Sequence, residues 1–171
     1  MDPFCPAHGF QEHCLIHEAG HAVAAIEHEI EFIQVAVLPP ENWHRTVDGV
    51  TAGGVTLPRG LRDVAAHLSH TKTFEFALAG VQAERVILGH ELRMSFLGDI
   101  NLWRRTVGII GADQMAEIED VLGQPLMSAA ADVEKWVEVN RDEILAVRGA
   151  LARSRWTLTQ DQVMAAVARA P

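Results

Sequence analysis

Five consecutive residues, His17-Glu18-Ala19-Gly20-His21, combine side chains that can hold and use a transition metal. On a helix, positions i and i+4 lie one turn apart on the same face. His17 and His21 can therefore aim two imidazoles at one ion, with Glu18 beside them as a base for a water on that ion. This is the H-E-x-x-H arrangement of zinc metalloproteases. Ala19 and Gly20 are small, so nothing bulky is expected to crowd the ion from that turn. Nine histidines in 171 residues leave room for a chance pair at this spacing. The bland alternative is an amphipathic helix carrying two half-exposed histidines and a surface glutamate. The apolar run Ala22-Val23-Ala24-Ala25-Ile26 argues for the metal, because it buries the helix and buried imidazoles need partners.

A catalytic zinc site takes three protein ligands and leaves one position for water. The helix supplies two. The third must be a His, Glu or Asp from elsewhere. The continuation Gly-x-x-His is absent after the pentapeptide, and His28 lies two helical turns beyond His21, too far along the axis to share the ion. Cys5, His8, His13 and Cys14 also cluster near the N-terminus. Their spacing fits no structural zinc arrangement, and His13 and Cys14, being adjacent, diverge by about 100° on a helix. A second metal site there, or Cys14 as an inhibitory thiol on the first metal, is the weaker reading.

The elements that must position these residues follow from composition and periodicity. A chain of 171 residues that is 49% hydrophobic can bury one core and suits a single domain. The two parts expected are a metal-site core over residues 1–124 and C-terminal helices over 125–171. The net charge of −9 argues against nucleic acid and against a polybasic membrane patch. No apolar run approaches the roughly 18 residues of a membrane span. The N-terminus lacks the features of a secretory signal, and two cysteines are too few for a disulfide scaffold. A cytoplasmic location is the expectation.

The first helix is expected over 10–29, a strand over 30–38, a loop over 41–49 and a second strand over 50–57 with glycines in its middle. Helices then follow over 61–69, 71–88 and 100–110. Residues 111–124 carry no clear pattern. One long helix is expected over 125–153, opened by Pro125, and a last one over 159–168 capped by Thr159. The fold class is thus mainly α with a small antiparallel β-sheet and a C-terminal helical segment.

The run His17-Glu18-Ala19-Gly20-His21-Ala22-Val23-Ala24-Ala25 resembles the start of the peptidase domain of FtsH, a membrane-bound ATP-dependent zinc protease family. Further similarities follow in order. Gly54-Val55-Thr56-Leu57-Pro58 resembles that family's glycine-led strand. The stretch from Leu78 through Ala83-Glu84-Arg85 to Gly89 resembles its middle helix, and Gly98-Asp99-Ile100 the start of its next one. Asn140 to Val163 resembles its closing helical segment. Residues 13–168 are covered.

The chain departs from the family pattern at Val81-Gln82, at Trp103-Arg104 and in a longer loop over 39–49. The resemblance implies a helical zincin-like domain, Zn2+ as cofactor, and Asp99 as the third metal ligand beside His17 and His21. It makes Glu84 a residue that accepts from a ligand imidazole and fixes its tautomer. The competing reading of Asp99 is an N-cap following Gly98; that of Glu84 is an ordinary surface glutamate.

The activity expected is zinc-dependent endopeptidase cleavage of proteins or unfolded polypeptides. Glu18 takes a proton from the attacking water and returns it to the leaving amine. With no tyrosine in the chain, a phenol cannot stabilise the oxyanion. The substrate is expected to add as a strand beside Val50–Leu57. The family's ATPase module and membrane anchor have no counterpart in these residues, so a separate ATPase or a homo-oligomer is the expected helper. The alternative function is a non-catalytic zinc-binding regulator or adaptor with the peptidase fold.

Overall fold

The computed structural model describes residues 7–39, 44–46, 49–51, 53–109 and 114–171; Cys5 lies outside them. The centre of the fold is α1 (Phe10–Glu27), in which Leu15, Ile16, Ala19, Ala22, Val23, Ala24 and Ala25 are all buried. A helix apolar on nearly every side has to be enclosed. It is enclosed by α3 (His70–Leu88), by α7 (Arg141–Arg153) and by a small sheet. The sheet has three antiparallel strands. Its middle strand, β1 (Gln34–Val37), pairs with β4 (Gly53–Thr56) and with β5 (Thr157–Thr159), so that Val35 lies opposite both Val55 and Leu158. Two further strands, β2 (His44–Thr46) and β3 (Gly49–Thr51), form a separate antiparallel ribbon.

α4 (Arg93–Thr106), α5 (Gln114–Leu122) and α6 (Leu126–Val139) build around α3, while α2 (Leu61–Ala65) lies against α4 and α8 (Gln160–Val167) packs on α7, β5 and α1. The N-terminus of α3 is capped by the Ser69 hydroxyl, which accepts from the Lys72 amide, and its C-terminus ends at Gly89 in the left-handed region, φ 80°. Its two faces serve two cores. Phe76, Ala79 and Ala83 join α1, α7 and the sheet; Phe74, Leu78 and Val81 join Trp103, Ile118 and Val133 of α4, α5 and α6. The first core also takes Ile144, Val147 and Leu151 of α7, Leu158 of β5 and Val163 of α8. Among the described residues, no helix is long and apolar enough to cross a membrane.

The mainly α class with a small antiparallel sheet agrees with the sequence reading, and so does the Thr159 cap, which forms a reciprocal capping box with Gln162. Several boundaries differ. The strand expected over 30–38 is confined to 34–37, because Glu29 at φ 57° turns the chain and Ile30 and Phe32 enter the core as irregular backbone. The strand expected over 50–57 is divided between β3 and β4, and β2 lies within the expected loop. α5 orders residues 114–122, where no pattern was clear. The long C-terminal helix is broken at Asn140, whose side-chain amide donates to the Trp136 carbonyl. Such a bond competes with the helical ladder. α4 begins at Arg93, so Asp99 sits inside a helix and is not its N-cap.

Candidate metal centre

Two rows of side chains, each spaced by four residues, face one another across the contact of α1 and α3. From α1 come His13, His17 and His21; from α3 come Phe76, Gly80 and Glu84. The helices run in opposite directions, so His21 meets Phe76 while His13 and His17 meet Glu84. The His21 Nδ1–H donates to the Phe76 carbonyl at 2.8 Å. The His17 Nδ1–H donates to Glu84 Oε1 at 2.7 Å, and the His13 Nδ1–H to Glu84 Oε2 at 2.6 Å. The Leu92 amide adds a third bond to Oε2 at 3.0 Å. Gly80 makes the close approach possible: a Cβ there would stand 2.6 Å from His21 Nε2 and 2.9 Å from the His17 ring.

Glu84 is fully buried. Burial alone would raise its pKa, but the hydrogen bonds from His13 and His17 outweigh it and lower the value from 4.5 to about 2. An ionised carboxylate only accepts, so both imidazoles donate through Nδ1. The Phe76 carbonyl imposes the same tautomer on His21. The lone-pair nitrogens, His17 Nε2 and His21 Nε2, then point at each other across 3.0 Å.

The third donor arrives on α4. Trp103, wholly buried, packs edge-on against Phe74 and donates to Thr73 Oγ1 at 3.3 Å, fixing α4 on α3. One turn before it, Asp99 places Oδ2 3.5 Å from His17 Nε2 and Oδ1 3.8 Å from His21 Nε2. The ligand atoms of His17, His21 and Asp99 lie within 4.8 Å of one another.

These residues fit a zinc ion. Two facing lone pairs and a carboxylate repel unless a cation lies among them, and Asp99 Oδ2 is buried with no hydrogen-bond partner among the described residues. Ligand bonds of about 2.0–2.2 Å in a tetrahedron leave donor atoms roughly 3.3–3.6 Å apart, close to the spacings of 3.0, 3.5 and 3.8 Å here. Two imidazoles and one carboxylate form a zinc donor set. Burial would lower the His17 pKa, but Asp99, followed by Glu84 and Glu18, raises it well above its ordinary value. Asp99 is likewise held at about 2: burial opposes this, and the charges of His17 and His21 prevail.

Glu18 is buried beside this cluster, and its Oε2 has no hydrogen-bond partner among the described residues. Burial raises its pKa above the ordinary carboxylate value, although His17 and His21 pull the other way. The backbone of β4 passes directly over it, so that a Cβ on Gly53 would stand 2.7 Å from Glu18 Oε1. A cavity of about 370 Å³ opens at this point, lined by His17, Glu18, His21 and Asp99 together with Gly54 and Val55 of β4.

Glu84 accepts from the His17 imidazole as expected, and three finer points of the sequence reading are resolved at this level. Ala19 and Gly20 are buried, and the small size of Gly20 also serves packing against α3, where a Gly20 Cβ would lie 2.5 Å from the Ala79 carbonyl oxygen. Cys14 is no thiolate ligand. It packs in the apolar core, and burial, reinforced by Glu18 and Glu84, drives its pKa far upward. Glu84 is not a surface residue, since its carboxylate joins His13 to His17. The contribution of Gly80 was missed in the sequence; its signal was the four-residue step to Glu84 on one helix. His28 is occupied elsewhere, 2.9 Å from Glu75. No protein-family model matches the chain, and no curated protein is significantly similar to it.

Proposed function

We propose that the protein is a zinc-dependent metalloendopeptidase that cleaves extended or unfolded polypeptides. The observation that carries this reading is a shared cavity. In it, a buried carboxylate, a cluster of three metal donors and the outer edge of a β-strand face the same space. A zinc ion held by His17, His21 and Asp99 would supply a Lewis acid that polarises the scissile carbonyl and makes a water acidic near neutral pH.

The chain's own groups do the rest. Glu18 accepts the proton of the attacking water and delivers it to the departing amine. Burial raises its pKa, which makes it the stronger base toward that water. Glu84 and the Phe76 carbonyl hold the two imidazoles in the tautomer that turns Nε2 inward. Among the described residues β4 pairs on one side only, with β1, and its other side can take a peptide main chain as one more strand. That places the peptide beside Glu18. The order of sequence similarities to the FtsH peptidase family supports the same assignment.

The test is hydrolysis of unfolded casein by the zinc-loaded chain and by Glu18→Gln. A fall of about 10²–10⁴-fold in rate, with zinc content unchanged, is expected. Equal rates with zinc bound would remove Glu18 from the chemistry. Zinc binding without cleavage by either protein would instead favour a regulator that keeps the site and lacks turnover.

A further inference from the structure

We propose that His8, His13 and His90 form a second site, for a divalent first-row transition metal. They come from separate segments: His8 precedes α1, His13 lies in the first turns of α1, and His90 follows α3. Their ligand nitrogens nevertheless lie within 4.8 Å of one another. Ring centroids are 6.1 Å apart for His8 and His13, 5.3 Å for His8 and His90, and 5.0 Å for His13 and His90. Chain turns produce this convergence. Gly89, left-handed at φ 80°, ends α3 and swings His90 back toward α1. Gly9 at φ 74° does the same for His8 ahead of α1.

The chemistry is that of an imidazole site. Zinc, copper, iron and nickel accept such ligands, and three imidazoles with an open position are a known zinc donor set. His13 is wholly buried and donates its Nδ1–H to Glu84 Oε2, so Nε2 is the lone-pair atom of its neutral ring. Ligand histidines characteristically donate their other ring N–H to a carboxylate in this way. The same carboxylate serves His17 through its other oxygen, and it also takes the amide of Leu92, two residues past His90. Glu84 therefore stands between both clusters and orients a ligand of each. His8 is exposed and His90 half-buried, so an ion can enter from solvent. Bound there, it would tie the start of α1 to the end of α3.

The test is zinc stoichiometry in the full chain, stripped with chelator, reloaded with excess Zn2+ and freed of unbound ion. The wild type is expected to hold two ions. His90→Ala and His8→Ala should each hold one, the double variant His17→Ala/His21→Ala should hold one, and His90→Ala combined with that pair should hold none. The exposed position of His8 keeps its variant folded even if the His90 variant is not. Zinc content equal to wild type in both His8→Ala and His90→Ala overturns the proposal, the histidine cluster then being packing alone. A single ion in wild type that the His17/His21 pair removes also overturns it and leaves the peptidase site standing. A single ion that His8→Ala or His90→Ala removes, and the His17/His21 pair does not, supports this site and counts against the other.

Discussion

Glu84 carries two histidines on one carboxylate, and its ionisation is part of the fold. Its carboxyl is held at about 2 against an ordinary 4.5. The ionised form therefore favours folding. That contribution is complete above about pH 4.5 and drains away as pH falls toward 2. It is on the order of 3 kcal/mol. Urea melts of the chelated protein across this window should show the loss, and Glu84→Gln should flatten it. The same variant should weaken zinc binding about 10–100-fold, since one histidine loses its acceptor; direct zinc titration checks this. Residues of this kind differ in how openly the sequence presents them. The pair His17 and His21 with Glu18 is legible from helical spacing alone. Asp99 is not, because nothing local links a residue in α4 to α1, and only the ordered resemblance pointed to it. His90 gave no signal at all, since its neighbours in space are set by two turns. His13 sits one helical step before His17, a spacing the sequence shows, yet it reads there as part of the cluster with Cys5, His8 and Cys14 and not as part of the row.

At the level of elements, the decisive contact is α1 on α3. Two glycines, Gly20 and Gly80, permit it, and Gly80 lies under His17 and His21. Gly80→Ala would push a methyl group against His17 and His21, 2.6 Å from the nearest nitrogen. Zinc affinity is expected to fall at least tenfold while the helix content measured by circular dichroism is kept, because alanine favours a helix. The edge strand gives a separate prediction. Gly54 has room for a side chain, with nothing within 4 Å of a Cβ. Gly54→Pro should remove one main-chain donor from β4 and slow cleavage of an extended peptide several-fold, with zinc content unchanged; full-speed cleavage would argue against strand addition. The helices around this contact were legible because their apolar residues recur near the helical period over many turns. The strands were harder. β5 is three residues long and is created by Arg155 and Trp156, both with positive φ (57° and 72°), which no local rule anticipates at an arginine and a tryptophan. The break at Asn140 was hidden for a related reason: the apolar pattern continues across it.

For the whole molecule, α1 and the C-terminal helices share one core, in which Ile144, Val147 and Leu151 are fully buried beside α1. Arg148 of α7 also grips Glu12 of α1 through two hydrogen bonds, one of them 2.8 Å from Nε to Oε1. Truncating Leu151 to alanine should therefore cost about 2–5 kcal/mol. Unfolding followed by circular dichroism and by zinc release should shift together; a metal site that survives the loss of the C-terminal helices would contradict a shared core. The sequence showed an amphipathic pattern in α7 without saying which face of the protein it covers. That information is long-range, carried by side-chain fit and not by period.

The sheet has a consequence for biosynthesis. Its middle strand, residues 34–37, has one of its two neighbours at residues 157–159. During translation, a nascent chain presents β1 with one side unfilled until that distant segment clears the ribosomal tunnel. α1 meanwhile waits for α7 to cover it. The pocket beside Glu18 consequently reaches its finished shape late, when nearly all of these residues have been made, so a ribosome stalled earlier would display an incomplete pocket.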